Sequence, residues 1–462
     1  MIKYLFNFIL FFSIILFTSC NSTPKNTDTY FGGKIINPKS NFVVLFSMDK
    51  VIDTMYLEKD NRFIGKLNVI NEGLYYFVHG DENQYIYIEP QDSLMLRLNT
   101  WDFDESIVFA GKGAERNNIL IDCFLEEEKD NKMFYQLNEL EPKAFYLKID
   151  SLISLKKQTY QKYILNHPDE TNGFNRILKI ALTYPFYGRI ERYPMAHVKR
   201  SNKSDFNTMP PLFYRHRKLV NTNNDSLMYY PPYSKYVRNF LYNTTYSLGH
   251  KPMPHEYTSD FTIDLLNTIN NNIQSETSKN AFLKQTVIGH FYKKSSCAIN
   301  KDAFDAYLAI STSKKDKKQV KQLLSDCKAL YKGQKITDFI INDLNNGEHS
   351  VKKLIKNKNS FLFFWNPEYV SPNYLSSRIN YLARKFPNIN FIQIKIDGNN
   401  KHRIHKIDIK NQFFITPKSN ANKFLTSKMP RSILINKKGI ITNGFASISS
   451  KKLALELKKL SK

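Results

Sequence analysis

The 462-residue chain is expected to fold as a multidomain α+β protein, with an N-terminal antiparallel β-sandwich, a central helical region and a C-terminal α/β domain. Three observations predict this. Short β-type runs separated by turn formers fill residues 31–109, and apolar residues then recur at helical spacing to about residue 332. Ser360–Phe386 reads as a buried strand, a polar elbow and a helix. A chain of this length also exceeds what one hydrophobic core usually serves.

Residues 1–20 read as an export signal. Lys3 supplies a weak basic end, and Tyr4 to Phe17 is apolar apart from Asn7 and Ser13. The run is too short for a comfortable membrane span. Thr18-Ser19-Cys20 places two small residues before a cysteine and resembles a bacterial lipobox, with Phe17 where leucine is usual. That resemblance implies that Cys20 carries a lipid and tethers the mature chain to an envelope membrane, facing the periplasm and at the outer membrane by preference. A plain secretory signal is the other reading. Residues 21–29 are polar and too poor in apolar surface to fold, so they read as a tether.

Residues 30–112 contain the β-type runs Phe42–Phe46, Thr54–Leu57, Arg62–Leu67, Leu74–Val78, Tyr85–Ile88 and Leu94–Leu98. Asp60-Asn61, Asn71-Glu72-Gly73, Gly80-Asp81 and Pro90-Gln91-Asp92 punctuate them. Strands so spaced, with no long helix between, predict a sandwich. No cluster of ligands or nucleophiles stands out among them.

Residues 113–332 are expected to be mainly helical. Phe145, Ile149, Leu152 and Ile153 follow a helix period, as do Phe174, Ile177, Leu178 and Ala181. Phe282–Tyr292, Ala303–Ile310 and Lys317–Tyr331 suggest further helices. From Arg189 to Pro232 the chain is rich in proline, asparagine and aromatic residues and shows no period, which predicts a long loop. The aromatic clusters Tyr184-Pro185-Phe186-Tyr187, Pro210-Pro211-Leu212-Phe213-Tyr214 and Tyr229-Tyr230-Pro231-Pro232-Tyr233 either cover the helical core or line a groove for an extended peptide or glycan.

In residues 333–462, Phe361–Trp365 is a five-residue apolar run suited to a strand buried on both faces. Ser371 is a good N-cap and Pro372 falls at the first helical position, while Leu375, Ile379, Leu382 and Phe386 line one helical face. Ile389–Ile396 reads as a parallel strand. Ser432–Asn436 and Ile440–Asn443, joined by Lys437-Lys438-Gly439, read as a hairpin, and Ser449–Lys462 as a closing helix. This order, with FFWNPEYVSPN after the central strand and Met429-Pro430 before the hairpin, resembles the thioredoxin-like domains of TlpA-type and peroxiredoxin-like envelope lipoproteins. The run Ile86–Leu94 and Gly111–Asn117 resemble the β domain that often precedes them. Such domains typically read FWATWCGPC at the elbow. Here the two cysteine positions fall on Tyr369 and Pro372 or, with one inserted residue, on Val370 and Asn373. The resemblance also implies a cis Pro430 facing the elbow.

Thiol–disulfide exchange needs a thiolate nucleophile, which neither alignment supplies. The expectation is therefore a thioredoxin-like domain without its redox centre. It would hold a protein or peptide partner on the surface around Trp365, Asn366, Pro367, Tyr369, Pro372, Met429 and Pro430. No catalytic residue, metal or cofactor is implied. Exchange through Cys123, Cys297 or Cys327 of the helical region is the second reading, and ligand or glycan capture by the aromatic loop is the third. After Cys20, three cysteines remain; Cys297 and Cys327 could pair across a helical hairpin, but unpaired buried thiols are the expected state. His402 and His405 are expected to be surface residues. The net charge of +25 is concentrated in the tail, where Lys and Arg outnumber Asp and Glu more than threefold from Gln334 on. No nucleic-acid-binding signature accompanies it, so nucleic acid is not an expected partner.

Overall fold

The computed structural model describes residues 28–462 except 49, 69, 202–208, 210, 252–257, 295–300, 400–403, 405 and 406. The expectations for the export signal, Cys20, the tether up to residue 27, Cys297, His402 and His405 lie outside the described residues. The chain divides into two compact units, Met1–Ile190 with Ser226–Tyr236, and Glu191–Asp225 with Val237–Lys462.

In the first unit, eight strands form two four-stranded sheets. They are β1 (Thr29–Ile36), β2 (Phe42–Ser47), β3 (Lys50–Tyr56), β4 (Arg62–Leu67), β5 (Gly73–His79), β6 (Glu82–Ile88), β7 (Ser93–Asn99) and β8 (Val108–Ala110). The sheets run β4-β1-β7-β8 and β3-β2-β5-β6. Alternate residues such as Phe63, Gly65 and Leu67 on β4 are buried while their neighbours are exposed, the period-two signature of a half-buried strand. Phe31, Val43, Phe77, Ile86 and Leu96, drawn from both sheets, share one apolar core. One pairing departs from the antiparallel expectation: β1 runs parallel to β7. The two strands are separated by the whole second sheet in sequence, which gives the chain the length a parallel return requires. A Cβ at Gly33 would sit 2.1 Å from the Leu96 carbonyl oxygen, so the close approach of β1 and β7 needs glycine there.

Helices α1 (Ala114–Leu137), α2 (Pro142–Asn166) and α3 (Asn172–Ser201) follow. The long loop expected from Arg189 is replaced in its first part by the end of α3, and further on by 3-10 segments at Pro211–Leu219 and Asp225–Leu227. The reason is visible in the burial of α3. Leu182, Thr183, Tyr184, Phe186, Tyr187, Gly188, Ile190, Glu191 and Tyr193 are all buried, so no polar face remains to reveal a helical period. Helix α4 (Pro231–Tyr246) is likewise divided between the units.

The second unit continues with α5 (Ser259–Asn272), α6 (Glu276–Lys294), α7 (Asp302–Ile310) and α8 (Lys314–Ala329). Then come β9 (Ile340–Asp343), β10 (Glu348–Ser350), α9 (Val351–Leu354), β11 (Asn359–Trp365), α10 (Pro372–Lys385) and β12 (Ile389–Lys395). The chain closes with β13 (Gln412–Phe414), β14 (Arg431–Ile435), β15 (Ile441–Ala446) and α11 (Lys451–Leu460). The seven strands form one mixed sheet in the order β10-β9-β13-β12-β11-β14-β15. Central β11 pairs parallel with β12 and antiparallel with β14, which pairs antiparallel with β15. That order, with α10 crossing over between β11 and β12 and α11 last, is the thioredoxin-like arrangement. Phe361, Phe363 and Trp365 join the core formed with α10 and α11, while Leu362 and Phe364 join the core of the opposite face. Both faces of β11 are thus covered, as its unbroken apolar run predicts.

Candidate functional site

The elbow after β11 is built by local chemistry. Trp365 is 2% exposed and ends the strand against α10, while its carbonyl accepts from Ile396 N–H. The Asn366 carbonyl accepts from the N–H groups of Tyr369 and Val370, 3.0 Å in each case, and its side-chain oxygen accepts from Glu368 N–H at 3.1 Å. These bonds fold Asn366–Val370 into a tight turn. Ser371 then caps α10, its hydroxyl oxygen accepting from Tyr374 N–H at 3.2 Å, with Pro372 at the first helical position. Asn366, Pro367, Val370 and Pro372 are half-buried, and Tyr369 is 38% exposed.

Leading into β14, the segment Leu425–Arg431 is held from outside the sheet. The Asp326 carboxylate of α8 accepts from Thr426 N–H at 2.9 Å, from the Thr426 hydroxyl at 2.6 Å and from Ser427 N–H at 2.9 Å. Gln319, two helical turns earlier, donates to the Ser427 carbonyl at 3.1 Å and to the Tyr369 hydroxyl at 3.0 Å, so one side chain ties the segment to the elbow. From α6, the Tyr292 hydroxyl donates to the Pro430 carbonyl at 2.6 Å. Arg431 is 2% exposed and donates to the carbonyls of Asp326 at 3.0 Å, Phe424 at 2.9 Å and Gly444. Burial lowers its guanidinium to about 10, against the opposing pull of the Asp326 charge, and it stays a cation at neutral pH. Burial likewise raises the Tyr292 phenol well above its ordinary value.

Of the site residues named from sequence, Trp365, Met429 and Pro430 are buried, Asn366, Pro367 and Pro372 are half-buried, and Tyr369 is exposed. Gln319 brings Tyr369 and the segment before Pro430 together. Asp326, Gln319, Tyr292 and Arg431, which build the seam, carry no local motif; Asp326 lies 100 residues before Thr426.

The cysteines fall into two environments. Cys123, on α1, is free and buried, and burial pushes its thiol up to about 12, far from the thiolate that exchange requires. Cys327 is disulfide-bonded, against the expectation of an unpaired thiol, and its partner lies outside the described residues. It is 2% exposed and directly follows Asp326 on α8. Neither alignment of the elbow with a CxxC motif brings a described thiol to it. Of the aromatic clusters, Tyr184, Phe186, Tyr187, Phe213, Tyr230 and Tyr233 are buried, while Tyr214 and Tyr229 are half-buried. Among the described residues no helix is long and apolar enough to cross a membrane.

No protein-family model matches the chain, and neither does any curated protein. Among solved structures it is similar to a candidate thiol-disulfide oxidoreductase from Bacteroides vulgatus (22% identity, 28% of this chain and 97% of that one, TM-score 0.24). It is also similar to the thioredoxin domain of another thiol-disulfide oxidoreductase from Bacteroides vulgatus (18%, 29% and 99%, TM-score 0.23). A thiol-disulfide oxidoreductase from Bacteroides fragilis matches at 18% identity over 28% of this chain and 99% of its own, with a TM-score of 0.23. The thioredoxin-like reading of β11–α11 rests on strand order and pairing.

Proposed function

We propose that this chain is an exported protein, tethered to an envelope membrane through lipid on Cys20, whose thioredoxin-like domain binds a protein or peptide partner and does not exchange disulfides. The carrying observation is the elbow itself. Tyr369, Val370, Pro372 and Asn373 stand where exchange would need thiols, and the helix N-terminus that would lower a cysteine pKa begins at Ser371-Pro372. The Tyr369 hydroxyl is held by Gln319, so the exposed part of the elbow is a fixed polar and aromatic surface. Partner recognition is assigned to Tyr369 and the half-buried Asn366, Pro367 and Pro372, with Met429 and Pro430 beneath them as support.

A second reading, exchange through a cysteine outside the elbow, draws on the position of Cys327. Its neighbour Asp326 bonds the segment before Pro430, so a disulfide is anchored close to that segment in space though far from it in sequence. Its burial argues against attack by a substrate thiolate. A disulfide-reduction assay on the full mature chain, with thiol titration, separates the readings. The binding role predicts turnover no faster than the uncatalysed reaction. Turnover that disappears in Cys327→Ser would overturn it.

A further inference from the structure

The second unit contains a cavity of about 230 Å³ among α4, α5 and α6, remote in sequence from the elbow. Leu241, Phe261, Leu265 and Ile269 are buried in its apolar wall, with Tyr242 and Phe282 as half-buried rings. Arg238, Gln285, Thr286 and Lys293 add polar groups, and no Asp or Glu lines it. His290 also lines it. It is 3% exposed, bonded at Nδ1 to Thr262 Oγ1 at 2.7 Å, and has no partner at Nε2. Thr262 also donates to the Thr258 carbonyl, so its oxygen accepts from Nδ1–H and leaves the Nε2 lone pair unmet. Burial foremost, with the charges of Lys294 and Lys293, pushes this imidazole down to about 4 and keeps it neutral. A buried acceptor without a donor is a cost that a water seated beside a bound molecule would offset.

Size and charge together define an occupant. A dry cavity of about 150 Å³ takes a benzene ring. The larger volume here admits a ring with a short side arm, and the apolar wall with two half-buried rings suits its faces. The exposed guanidinium of Arg238 makes no ion pair among the described residues and supplies the geometry that pairs with a carboxylate through two parallel N–H donors. We infer that this cavity is a binding site for a small aromatic carboxylate, its ring against Phe261, Leu265 and Phe282 and its carboxylate on Arg238. The site is independent of the binding role assigned to the elbow.

The test uses the full mature chain and 3-phenylpropionate, titrated by calorimetry and by NMR of the histidine side-chain nitrogens. Saturable one-to-one binding that moves the His290 signal is expected. Arg238→Gln, an exposed change that leaves the fold intact, should weaken it at least about tenfold, and Thr286→Trp, which fills the cavity, should remove it. 3-Phenylpropanol, which lacks the charge, should bind at least about tenfold more weakly than the acid. Failure to bind, binding that leaves the His290 signal unmoved, or affinity unchanged in Arg238→Gln overturns the assignment.

Discussion

Two buried arginines, Arg116 in the first unit and Arg431 in the second, hold their surroundings together by different chemistry. Arg116, on α1, faces three carboxylates: Glu89 at 2.9 Å, Asp92 at 3.2 Å and Glu170 at 3.3 Å. Next to it Asn117 accepts from Tyr87 N–H and donates to the Tyr87 and Gly113 carbonyls, stitching α1 to β6. Arg431 instead donates to backbone carbonyls, and the nearby carboxylate of Asp326 is spent on the Thr426 and Ser427 N–H groups. The first seam is an ion cluster built on carboxylates, Asp92 among them raised by burial. The second is a hydrogen-bonded clamp whose acceptors mostly do not titrate.

Arg116→Met and Arg431→Met should therefore cost similar amounts at neutral pH and diverge in acid. Each leaves buried partners uncompensated, at about 3–5 kcal/mol by denaturant unfolding. Near pH 5 the loss in Arg116→Met should shrink, because a stranded carboxylate can take up a proton. The loss in Arg431→Met should persist, because carbonyls cannot. Parallel losses at both pH values would erase the distinction between the seams.

The same seam predicts a pH slope. Burial pushes the Asp92 carboxyl up to about 6 from an ordinary 3.8, against the lowering effects of the Glu89 N–H and the Arg116 charge. Between those values the folded chain holds a proton that the unfolded chain has released. The stability this proton contributes is full below about pH 4, falls as pH rises and is gone above about pH 6, with a slope no steeper than about 1.4 kcal/mol per pH unit. Asp92→Asn should flatten the difference curve over that window. A curve parallel to that of the parent chain would remove Asp92 from the cluster's titration.

The two seams also show what a sequence makes legible. Glu89, Asp92, Arg116 and Asn117 lie in two short runs at the ends of neighbouring elements, so their pattern can be picked out along the chain. Ser371-Pro372 is legible for the same reason, since capping chemistry is confined to four residues. Asp326, Gln319 and Tyr292 are ordinary residues on helices, and only the path of the chain sets them against Thr426, Ser427 and Pro430. Strand β13 escapes notice because three residues are too few to establish a period, and the end of α3 because burial on nearly every side removes one. The central strand, elbow and hairpin could thus be placed from sequence, whereas the clamp that fixes the segment before Pro430 could not.

Within the elbow, local and long-range bonds can be weighed against each other. Ser371→Ala removes the cap on Tyr374 N–H and should cost about 1 kcal/mol, with amide exchange accelerated in the first turn of α10. A loss confined to the segment around Pro430 would place the cap's role elsewhere.

Gln319→Ala should be the smallest change and the most informative. Gln319 links the Tyr369 hydroxyl to the Ser427 carbonyl, but Tyr369 is 38% exposed and water can replace the lost donor there. The expected loss is about 0.5 kcal/mol, at the low end for a hydrogen bond that solvent can substitute. Its effect on motion should be larger than its effect on stability, because the turn's remaining bonds, from Asn366 to Tyr369 and Val370 N–H, hold the backbone and not the ring. Relaxation measurements on the Tyr369 side chain should show a gain in mobility while the Asn366–Val370 amides stay protected. If the turn itself loosens, the elbow depends on α8 as heavily as the segment before Pro430 does, and the two halves of the site are held by one device.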